Sequence, residues 1–274
     1  MKKVVVFTDL DGTLIDLCDQ SFEAALPSLE LLKNKKIPVV FCSAKTRAEQ
    51  EHLRRLLSVK DPFIVENGGA IFIPYSYFDF DFSYSKKIDD YKVIELGISY
   101  PKIREKIKDI KNRIGIDVIG FGDLSEEEIS KITGLSKEAS SLAKKREYDE
   151  TLILDNLSSK ELKLFLEEVE KESLKWTFGG RFYHVHGNND KGKAVEILKS
   201  LYVKKYNQKP LFVALGDTKN DISMFKKVDI GFLIQKKDGS WERIELPHIK
   251  RIDGIGPVGW SRAIQKLLSL FNSA

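Results

Sequence analysis

The stretch Phe7-Thr8-Asp9-Leu10-Asp11-Gly12-Thr13-Leu14 directly continues the apolar run Val4-Val5-Val6 near the start of the chain. Such a run predicts a buried strand, and side chains two residues apart point to the same side of an extended chain. Asp9 and Asp11 then project together from the carboxyl end of a strand, where open α/β sheets bind ligands. Two such carboxylates repel each other unless a cation or a shared proton compensates, which points to a divalent metal. The alternative is a surface turn, since Asp-Gly is a common turn dipeptide.

Apolar strands alternate with amphipathic helices on both sides of this stretch. Strands are predicted at residues 4–8, 37–42, 62–66, 211–215 and 230–234, and helices at 21–35, 46–57, 191–206, 220–227 and 258–271. Strands that are apolar throughout are typical of a parallel sheet covered by helices on both faces. The sequence therefore predicts an α/β protein with a doubly wound, mainly parallel sheet.

The middle of the chain has a mixed pattern of short strands and helices. Strands are predicted at 93–96, 116–119, 152–154 and 174–178, with helices at 101–113, 136–145 and 159–172 and a further short helix beginning after Ser125. We interpret residues 85–186 as an α+β unit inserted into a core made of residues 1–84 and 187–274. The segment 236–256 receives no role.

The composition narrows the classes of partner. Lys and Arg number 45 against 41 Asp and Glu, a net charge of +4 that does not imply a nucleic-acid surface. The chain has only two cysteines, and its first apolar run is too short for an export signal. No run approaches the roughly 18 apolar residues of a membrane helix. We therefore expect a cytoplasmic protein acting on an anionic small molecule, with no nucleic-acid or membrane partner.

A second acidic motif, Leu215-Gly216-Asp217-Thr218-Lys219-Asn220-Asp221, also follows a predicted strand. Asp217, Asn220 and Asp221 are three and four residues apart, a spacing that places them on one face of a helical turn. The alternative is that Asp217 only caps the following helix. Together with the first motif, this spacing favours a metal site.

Two further residues suit a phosphate group. Ser43 follows a predicted strand and can donate from its hydroxyl and its backbone N–H, and Lys191 opens a predicted helix with a fixed positive charge. Taken singly, they read as a helix cap and a surface lysine. The stretch 187–193 also matches the first part of a phosphate-binding P-loop, but Ala194 stands where the magnesium-binding hydroxyl is required.

These motifs, in this order, resemble the haloacid dehalogenase-like superfamily, and the insertion resembles the α+β cap of its class IIB members. A narrower resemblance, to mannosyl-3-phosphoglycerate phosphatases, rests on five stretches covering core and insertion. They are Ser43-Ala44-Lys45-Thr46-Arg47-Ala48-Glu49, Val65-Glu66-Asn67-Gly68-Gly69-Ala70-Ile71, Thr133-Gly134-Leu135-Ser136, Lys145-Arg146-Glu147-Tyr148-Asp149-Glu150 and Gly179-Gly180-Arg181-Phe182-Tyr183-His184.

The resemblance implies a catalytic mechanism. It assigns Asp9 as the nucleophile that takes the phosphoryl group and Asp11 as the general acid and base. Mg²⁺ would be held by Asp9, the backbone carbonyl of Asp11, Asp217 and Asp221. Ser43 and Lys191 would bind the phosphoryl oxygens. The implied reaction is the hydrolysis of mannosyl-3-phosphoglycerate, a phosphorylated glycoside.

Other residues are expected to contact the substrate. The cations that could pair with the glycerate carboxylate are Lys45, Arg47, Arg146 and Arg181. For each, a surface ion pair is the alternative. Further candidates are Asn67, Gly68, Gly69, His184 and Asn220. The two glycines could admit sugar hydroxyls or simply turn the chain, and His186 reads as a plain strand histidine. Alternative functions are a related glucosyl-3-phosphoglycerate or sugar-phosphate phosphatase, a phosphomutase, or a module that only binds sugar phosphates.

Overall fold

The chain folds as alternating strands and helices, in a computed structural model that describes residues 3–179 and 181–272. Gly180, which belongs to one of the stretches that carry the family resemblance, lies outside the described residues. The strands are β1 (Val4–Thr8), β2 (Val39–Cys42), β3 (Phe63–Val65), β4 (Ala70–Pro74), β5 (Lys86–Ile88), β6 (Tyr91–Glu95), β7 (Ile119–Gly120), β8 (Asp149–Ile153), β9 (Lys175–Phe178), β10 (Tyr183–His186), β11 (Leu211–Gly216), β12 (Ile230–Gln235) and β13 (Ile249–Ile255).

Nine α-helices connect these strands within the described residues. They are α1 (Leu26–Asn34), α2 (Arg47–Leu56), α3 (Tyr100–Ile114), α4 (Glu126–Thr133), α5 (Lys137–Ala143), α6 (Ser159–Lys171), α7 (Lys191–Tyr206), α8 (Ile222–Phe225) and α9 (Gly256–Asn272). Short 3-10 turns occupy Glu23–Ala25, Glu66–Gly68, Phe121–Asp123 and Lys219–Asp221. Of the helices in this part of the chain, none combines the length and the apolar character needed to cross a bilayer.

Nine strands form one large sheet, the core sheet, in the order β13-β12-β11-β1-β2-β3-β4-β6-β5. The six strands from β13 to β3 run parallel to one another, and β4, β6 and β5 continue the sheet in antiparallel fashion. This arrangement confirms the predicted α/β class with a mainly parallel sheet.

Helices cover both faces of the core sheet, as strands that are apolar on both sides require. Val4 and Val6 of β1 pack in the cluster that includes α1 and α9, and Val5 and Phe7 pack in the cluster that includes α7 and α8. Successive side chains of a strand point to opposite faces, so both halves of the apolar run are buried. The doubly wound arrangement follows from this burial.

The insertion, residues 100–186, carries its own four-stranded antiparallel sheet, the insertion sheet, in the order β7-β8-β10-β9. Helices α3 and α6 pack on one face of it. The predicted boundary at residue 85 lies too early, because β5 and β6 pair with the core sheet rather than with the insertion sheet. Val93, the buried centre of β6, pairs with Phe72 of β4, a long-range contact that local pattern does not reveal.

Three strands of the core sheet were not predicted, and one of them is β5 at Lys86–Ile88. Residues 70–74 form β4, which hairpins back antiparallel to β3. Residues 249–255 form β13, which pairs parallel to β12 at the sheet edge and gives part of the segment 236–256 a structural role. Conversely, the strand predicted at 116–119 shortens to Ile119–Gly120. Strands β5, β7 and β13 are edge strands that pair along one side only, whereas β4 lies inside the core sheet between β3 and β6.

Candidate active site

Three adjacent parallel strands deliver the predicted catalytic residues to one edge of the core sheet. Strands β11, β1 and β2 are neighbours, and their carboxyl ends are followed by Asp217, Asp9 and Ser43 respectively. The backbone N–H of Asp9 donates to the carbonyl of Leu215 at 2.9 Å and so ties the exits of β1 and β11 together. The carboxyl edge of this parallel sheet is therefore the candidate site, as the sequence predicts.

A buried lysine lies among the carboxylates. Lys191, the first residue of α7, is 1% exposed. Its Nζ donates to Asp9 Oδ1 at 2.6 Å and to Asp221 Oδ1 at 2.8 Å. Burial alone would lower the lysine pKa, but Asp221 and Asp9 outweigh that effect and raise it well above its usual value. Lys191 is therefore a permanent positive charge beside the proposed nucleophile.

The three aspartates form a compact set of oxygen ligands. Carboxylate oxygens of Asp9, Asp217 and Asp221 lie within 4.8 Å of one another, and all three residues are buried. Burial raises the pKa of Asp9 to about 7, and burial together with the neighbouring carboxylates raises that of Asp217 well above its usual range. One lysine cannot balance three carboxylates, and an all-oxygen donor set suits Mg²⁺. The residues therefore fit the implied metal.

The turn after β1 is built to let Asp217 approach. Gly12 has a positive φ of 75°, and a Cβ at this position would lie 2.5 Å from Asp217 Oδ2. The hydroxyl of Thr13 donates to Asp217 Oδ1 at 3.2 Å. The Gly-Thr pair of the first motif thus positions an acid of the second motif, 204 residues away.

The Asp11 carboxylate is not part of the cluster formed by Asp9, Asp217 and Asp221. Its Oδ1 lies 3.1 Å from Lys45 Nζ and accepts from Gln20 Nε2 at 3.1 Å. Lys45 also contacts Glu49 at 3.3 Å. Gln20, which the sequence did not single out, therefore helps to orient the proposed general acid. Lys45 lies beside Asp11, and Asp11 and Glu49 raise its pKa although burial alone would lower it.

Ser43 has one donor available rather than the two expected. Its backbone N–H already donates to the carbonyl of Ile64 at 3.2 Å. Its Oγ accepts from the backbone N–H of Lys45 at 3.2 Å, which leaves the hydroxyl proton for another acceptor. Of the two donors of Ser43, the hydroxyl is therefore the one that can contact a phosphate.

The three predicted substrate-binding arginines all have protein partners. Arg146 is 8% exposed and donates to Asp149, to the Ala143 carbonyl and, at 2.7 Å, to the Ala44 carbonyl. Its guanidinium thus ties the insertion to the core instead of facing a ligand. An arginine so deeply paired is costly to redirect, because a buried charge needs its partners. The structure thus favours the ion-pair alternative for Arg146, and its contact with a substrate carboxylate stays a prediction.

The other two arginines are also engaged. Arg47 contacts Glu147 at 2.8 Å, Asp89 at 3.1 Å and Glu51 at 3.4 Å. Arg181 donates to the carbonyls of Ile132 and Thr133, the last residues of α4, and so caps the carboxyl end of that helix. For both residues the structure supports the ion-pair and structural alternatives.

The glycines of the Asn67-Gly68-Gly69 turn admit protein rather than ligand. A Cβ on Gly68, at φ +86°, would lie 2.2 Å from the carbonyl oxygen of Asp190, and one on Gly69 would lie 2.3 Å from Tyr148 Cβ. Asn67 has a positive φ of 56° and is 2% exposed. The turn thus brings Asn67 into contact with the segment that leads into α7.

A chain of amide and carboxylate contacts crosses from the core to the insertion. Asn220 Nδ2 donates to Asn67 Oδ1 at 2.8 Å, and Asn67 Nδ2 donates to Asp149 Oδ2 at 3.2 Å. The same Asp149 oxygen lies 3.3 Å from His184 Nδ1. Burial would raise the pKa of Asp149, but Arg146 and His184 outweigh it and lower the pKa to about 2. Two predicted residues, Asn67 and Asn220, therefore lie together at the site.

Glu66 is a second buried acid at the boundary between core and insertion. Its carboxylate accepts from the backbone N–H groups of Glu147, Tyr148 and Asp149, at 2.7–3.0 Å. Glu66 and Asp149 belong to two of the stretches that carry the family resemblance, but the sequence alone predicted no role for either residue. A buried carboxylate flanked by a glycine turn is the signal that could have identified Glu66.

The partial P-loop match has no structural support. Residues 187–190 follow β10, an antiparallel strand of the insertion sheet, whereas a P-loop follows a parallel strand. Lys193 Nζ contacts the Asn188 carbonyl, and its side chain is 47% exposed. The lysine that reaches the carboxylates is Lys191.

Comparisons with known proteins agree with this geometry. Residues 6–239 match the family model described as haloacid dehalogenase-like hydrolase. The chain is 47% identical to the glucosyl-3-phosphoglycerate/mannosyl-3-phosphoglycerate phosphatase of Methanococcoides burtonii, over 99% of both chains. It is 45% identical to the mannosyl-3-phosphoglycerate phosphatase of Pyrococcus furiosus, over 84% of this chain and 90% of that one. Its fold is similar to the solved structure of a subclass IIB sugar phosphatase, with a TM-score of 0.61 and 18% identity over 98% of this chain and 99% of that one.

Proposed function

This chain belongs to the haloacid dehalogenase-like hydrolase family, and we propose that it is a phosphatase that hydrolyses mannosyl-3-phosphoglycerate and its glucosyl analogue. The observation that carries the proposal is the site of Asp9, Lys191, Asp217 and Asp221, joined to a chain nearly half identical to phosphatases of these two substrates. The reaction releases inorganic phosphate from a phosphoric monoester.

The first step transfers the phosphoryl group to the enzyme. An oxygen of the Asp9 carboxylate attacks phosphorus, and the bond between phosphorus and the C3 oxygen of the glycerate breaks. Asp11, in its protonated form, gives its proton to the leaving oxygen, so the glycosylglycerate departs as an alcohol. The product left on the enzyme is an aspartyl-phosphate at Asp9.

The second step returns the nucleophile to its starting state. Asp11, now a carboxylate, accepts a proton from water as the water oxygen attacks phosphorus. The bond between phosphorus and the Asp9 oxygen breaks, and inorganic phosphate leaves. The contacts of Asp11 with Gln20 and Lys45 support this role, because they hold its side chain at the site while keeping it outside the metal-ligand cluster.

Asp9, Asp217 and Asp221 would hold Mg²⁺, with the backbone carbonyl of Asp11 as the further ligand that the family resemblance implies. When bound, the ion neutralises negative charge on the phosphoryl group. Lys191 Nζ, already 2.6 Å from Asp9, would contribute a fixed charge to the phosphoryl oxygens, and the Ser43 hydroxyl would donate to them. Asn220 would support the same group.

The insertion is proposed to act as a cap that closes over the site and excludes water. Asp149 and Glu66 already link it to the core through Asn67 and the backbone of residues 147–149. Closure of this kind is a common means of sequestering a reaction from solvent. Lys45 is the cation we retain as a candidate for the glycerate carboxylate, because it lies beside Asp11.

Two alternatives make different predictions from the same site. A phosphomutase would return the phosphoryl group to a sugar, and a non-catalytic module would bind the ester without turnover. The complete set of Asp9, Asp11, Ser43 and Lys191 favours an enzyme, and the identity to named phosphatases favours water as the acceptor.

Release of inorganic phosphate from mannosyl-3-phosphoglycerate with Mg²⁺ tests the proposal. We expect stoichiometric phosphate and mannosylglycerate, loss of activity in excess EDTA, and recovery when Mg²⁺ is restored. Isomerised sugar phosphate without free phosphate would identify a mutase. Binding of the ester by calorimetry with no product in any divalent cation would identify a binding module and overturn the proposal.

A further inference from the structure

The insertion sheet has one apolar face and one polar face. Leu152 and Val185 point to the side packed against α3 and α6, together with the partly buried Trp176 and Tyr183. In-register neighbours of an antiparallel sheet share a face, and residues two apart along a strand do so too. The opposite face therefore carries two rows of polar residues: Thr151, His184 and Thr177 in one row, and Asp149, His186 and Lys175 in the next.

This polar face looks toward the candidate active site. Asp149 on it is bonded to Asn67 of the core at 3.2 Å, and Asn67 contacts Asn220 of the second acidic motif. Strand β9, which carries Thr177, lies beside the 3-10 turn Lys219–Asp221. The polar face is therefore the roof of the site, opposite the strand ends that carry the carboxylates.

Two atoms on this face are buried and have no hydrogen-bond partner among the described residues: His186 Nε2 and Thr177 Oγ1. His186 is 2% exposed. Its Nδ1 lies 2.9 Å from the carbonyl oxygen of Gly187, which can only accept, so Nδ1 carries the proton. Burial lowers the pKa of His186, which favours the neutral ring. Its Nε2 is therefore an acceptor that faces no donor.

The chemistry of this acceptor limits which ligand groups can bind against the polar face. An ionised carboxylate or phosphate has no proton to give, so neither can satisfy His186 Nε2. A hydroxyl group can, and the Thr177 hydroxyl can both donate to and accept from another hydroxyl. In the proposed substrate the phosphate is held at Asp9 in the core, and the hexosyl group is the part rich in hydroxyls.

We propose that two side chains on this polar face select the hexosyl group, with His186 Nε2 accepting from one sugar hydroxyl and Thr177 Oγ1 pairing with another. This inference rests on the proposed function for the identity of the hexosyl ester. It places specificity on two residues outside the phosphoryl-transfer machinery and outside the residues expected from the sequence.

Thr177→Val is the sharpest test, because valine keeps the shape of threonine and removes only the hydroxyl. The kcat/KM for mannosyl-3-phosphoglycerate should fall about tenfold relative to that for 3-phosphoglycerate, which lacks the hexosyl group. The melting temperature of the ligand-free variant should not fall, since this hydroxyl has no protein partner to lose. Equal kcat/KM losses on both esters, no loss on either, or a lower melting temperature would each overturn the assignment.

Ser140→Ala is the matched control. Ser140 Oγ is also buried without a described partner, but it lies on α5 and not on a strand of the insertion sheet. Its removal should leave the ratio of the two kcat/KM values within twofold of the wild type. His186→Phe, which keeps an aromatic ring but removes the acceptor, should shift the ratio in the same direction as Thr177→Val.

The test also separates this inference from the proposed function. If the wild-type enzyme hydrolyses other hexose phosphates but not the glycosyl-3-phosphoglycerates, the proposed substrate is wrong. The Thr177→Val comparison is then made between that hexose phosphate and p-nitrophenyl phosphate. An unchanged ratio there would overturn the assignment of Thr177, and a tenfold change would support it.

Discussion

Asp9→Asn should reduce phosphate release by roughly four orders of magnitude or more while leaving the protein folded. The amide cannot attack phosphorus, yet it has the size of the carboxylate and can still accept from Lys191 at Oδ1. Replacing this buried acid also removes its repulsion with Asp221 and Asp11, which, after burial itself, helps to raise its pKa. We therefore expect a melting temperature at or above that of the wild type in EDTA.

Asp117→Asn is the control for the same chemical change, because the Asp117 side chain is 82% exposed and forms an ion pair with Lys111 in the insertion. Its kcat and KM should stay within twofold of the wild type. Retention of more than a hundredth of the wild-type kcat by Asp9→Asn would mean that another group, or water directly, attacks phosphorus.

Lys191→Met should lower kcat by about a thousandfold. The substitution removes the charge 2.6 Å from Asp9 and 2.8 Å from Asp221, so these two buried carboxylates lose the lysine that neutralises them. Because methionine fills a similar volume, the loss reports on charge rather than on packing. Without Lys191 the site has too little positive charge, apart from Mg²⁺, to balance its carboxylates. Lowering the pH should therefore not restore the lost activity.

Lys193→Met, two residues later on the same helix, provides the comparison. Its ammonium contacts the Asn188 carbonyl and is largely solvated, so its removal should change kcat less than twofold. Similar losses in the two variants would show that general positive charge near α7, rather than the buried contact of Lys191, supports the reaction.

The catalytic half of the site could be predicted because its signals are local. Asp9 and Asp217 each follow an apolar strand within their own motif, and strand ends of a parallel sheet meet at one edge. Lys191 was found from its place at a helix start. The structure brings these three residues together as expected, and it adds the contact of Thr13 with Asp217 that no local pattern contains.

The substrate half could not be predicted in the same way. The roles of Arg47, Arg146 and Arg181 depend on which acceptors the fold brings within reach, and their partners lie as far as 102 residues away along the chain. A sequence shows that an arginine is present but not that its donors are already used. The choice between substrate contact and structural pairing is therefore a property of tertiary contacts.

The boundary of the insertion failed for a related reason. Residues 91–95 contain the β-branched pair Val93-Ile94 that is typical of a strand, and pattern alone does not say which sheet a strand joins. Pairing with Ala70–Pro74 places this strand in the core sheet. Likewise, the unsatisfied Nε2 of His186 becomes visible only when its neighbours on three strands are known.

The most direct test of the account is the specificity constant of the wild-type enzyme, measured with Mg²⁺ by phosphate release from four esters. These are mannosyl-3-phosphoglycerate, glucosyl-3-phosphoglycerate, mannose 6-phosphate and 3-phosphoglycerate. We expect kcat/KM for the two glycosyl-3-phosphoglycerates to exceed the values for the other two by about a hundredfold or more, since only they present phosphate, carboxylate and hexosyl groups together. Comparable values on all four esters, or a preference for mannose 6-phosphate, would contradict the substrate assignment.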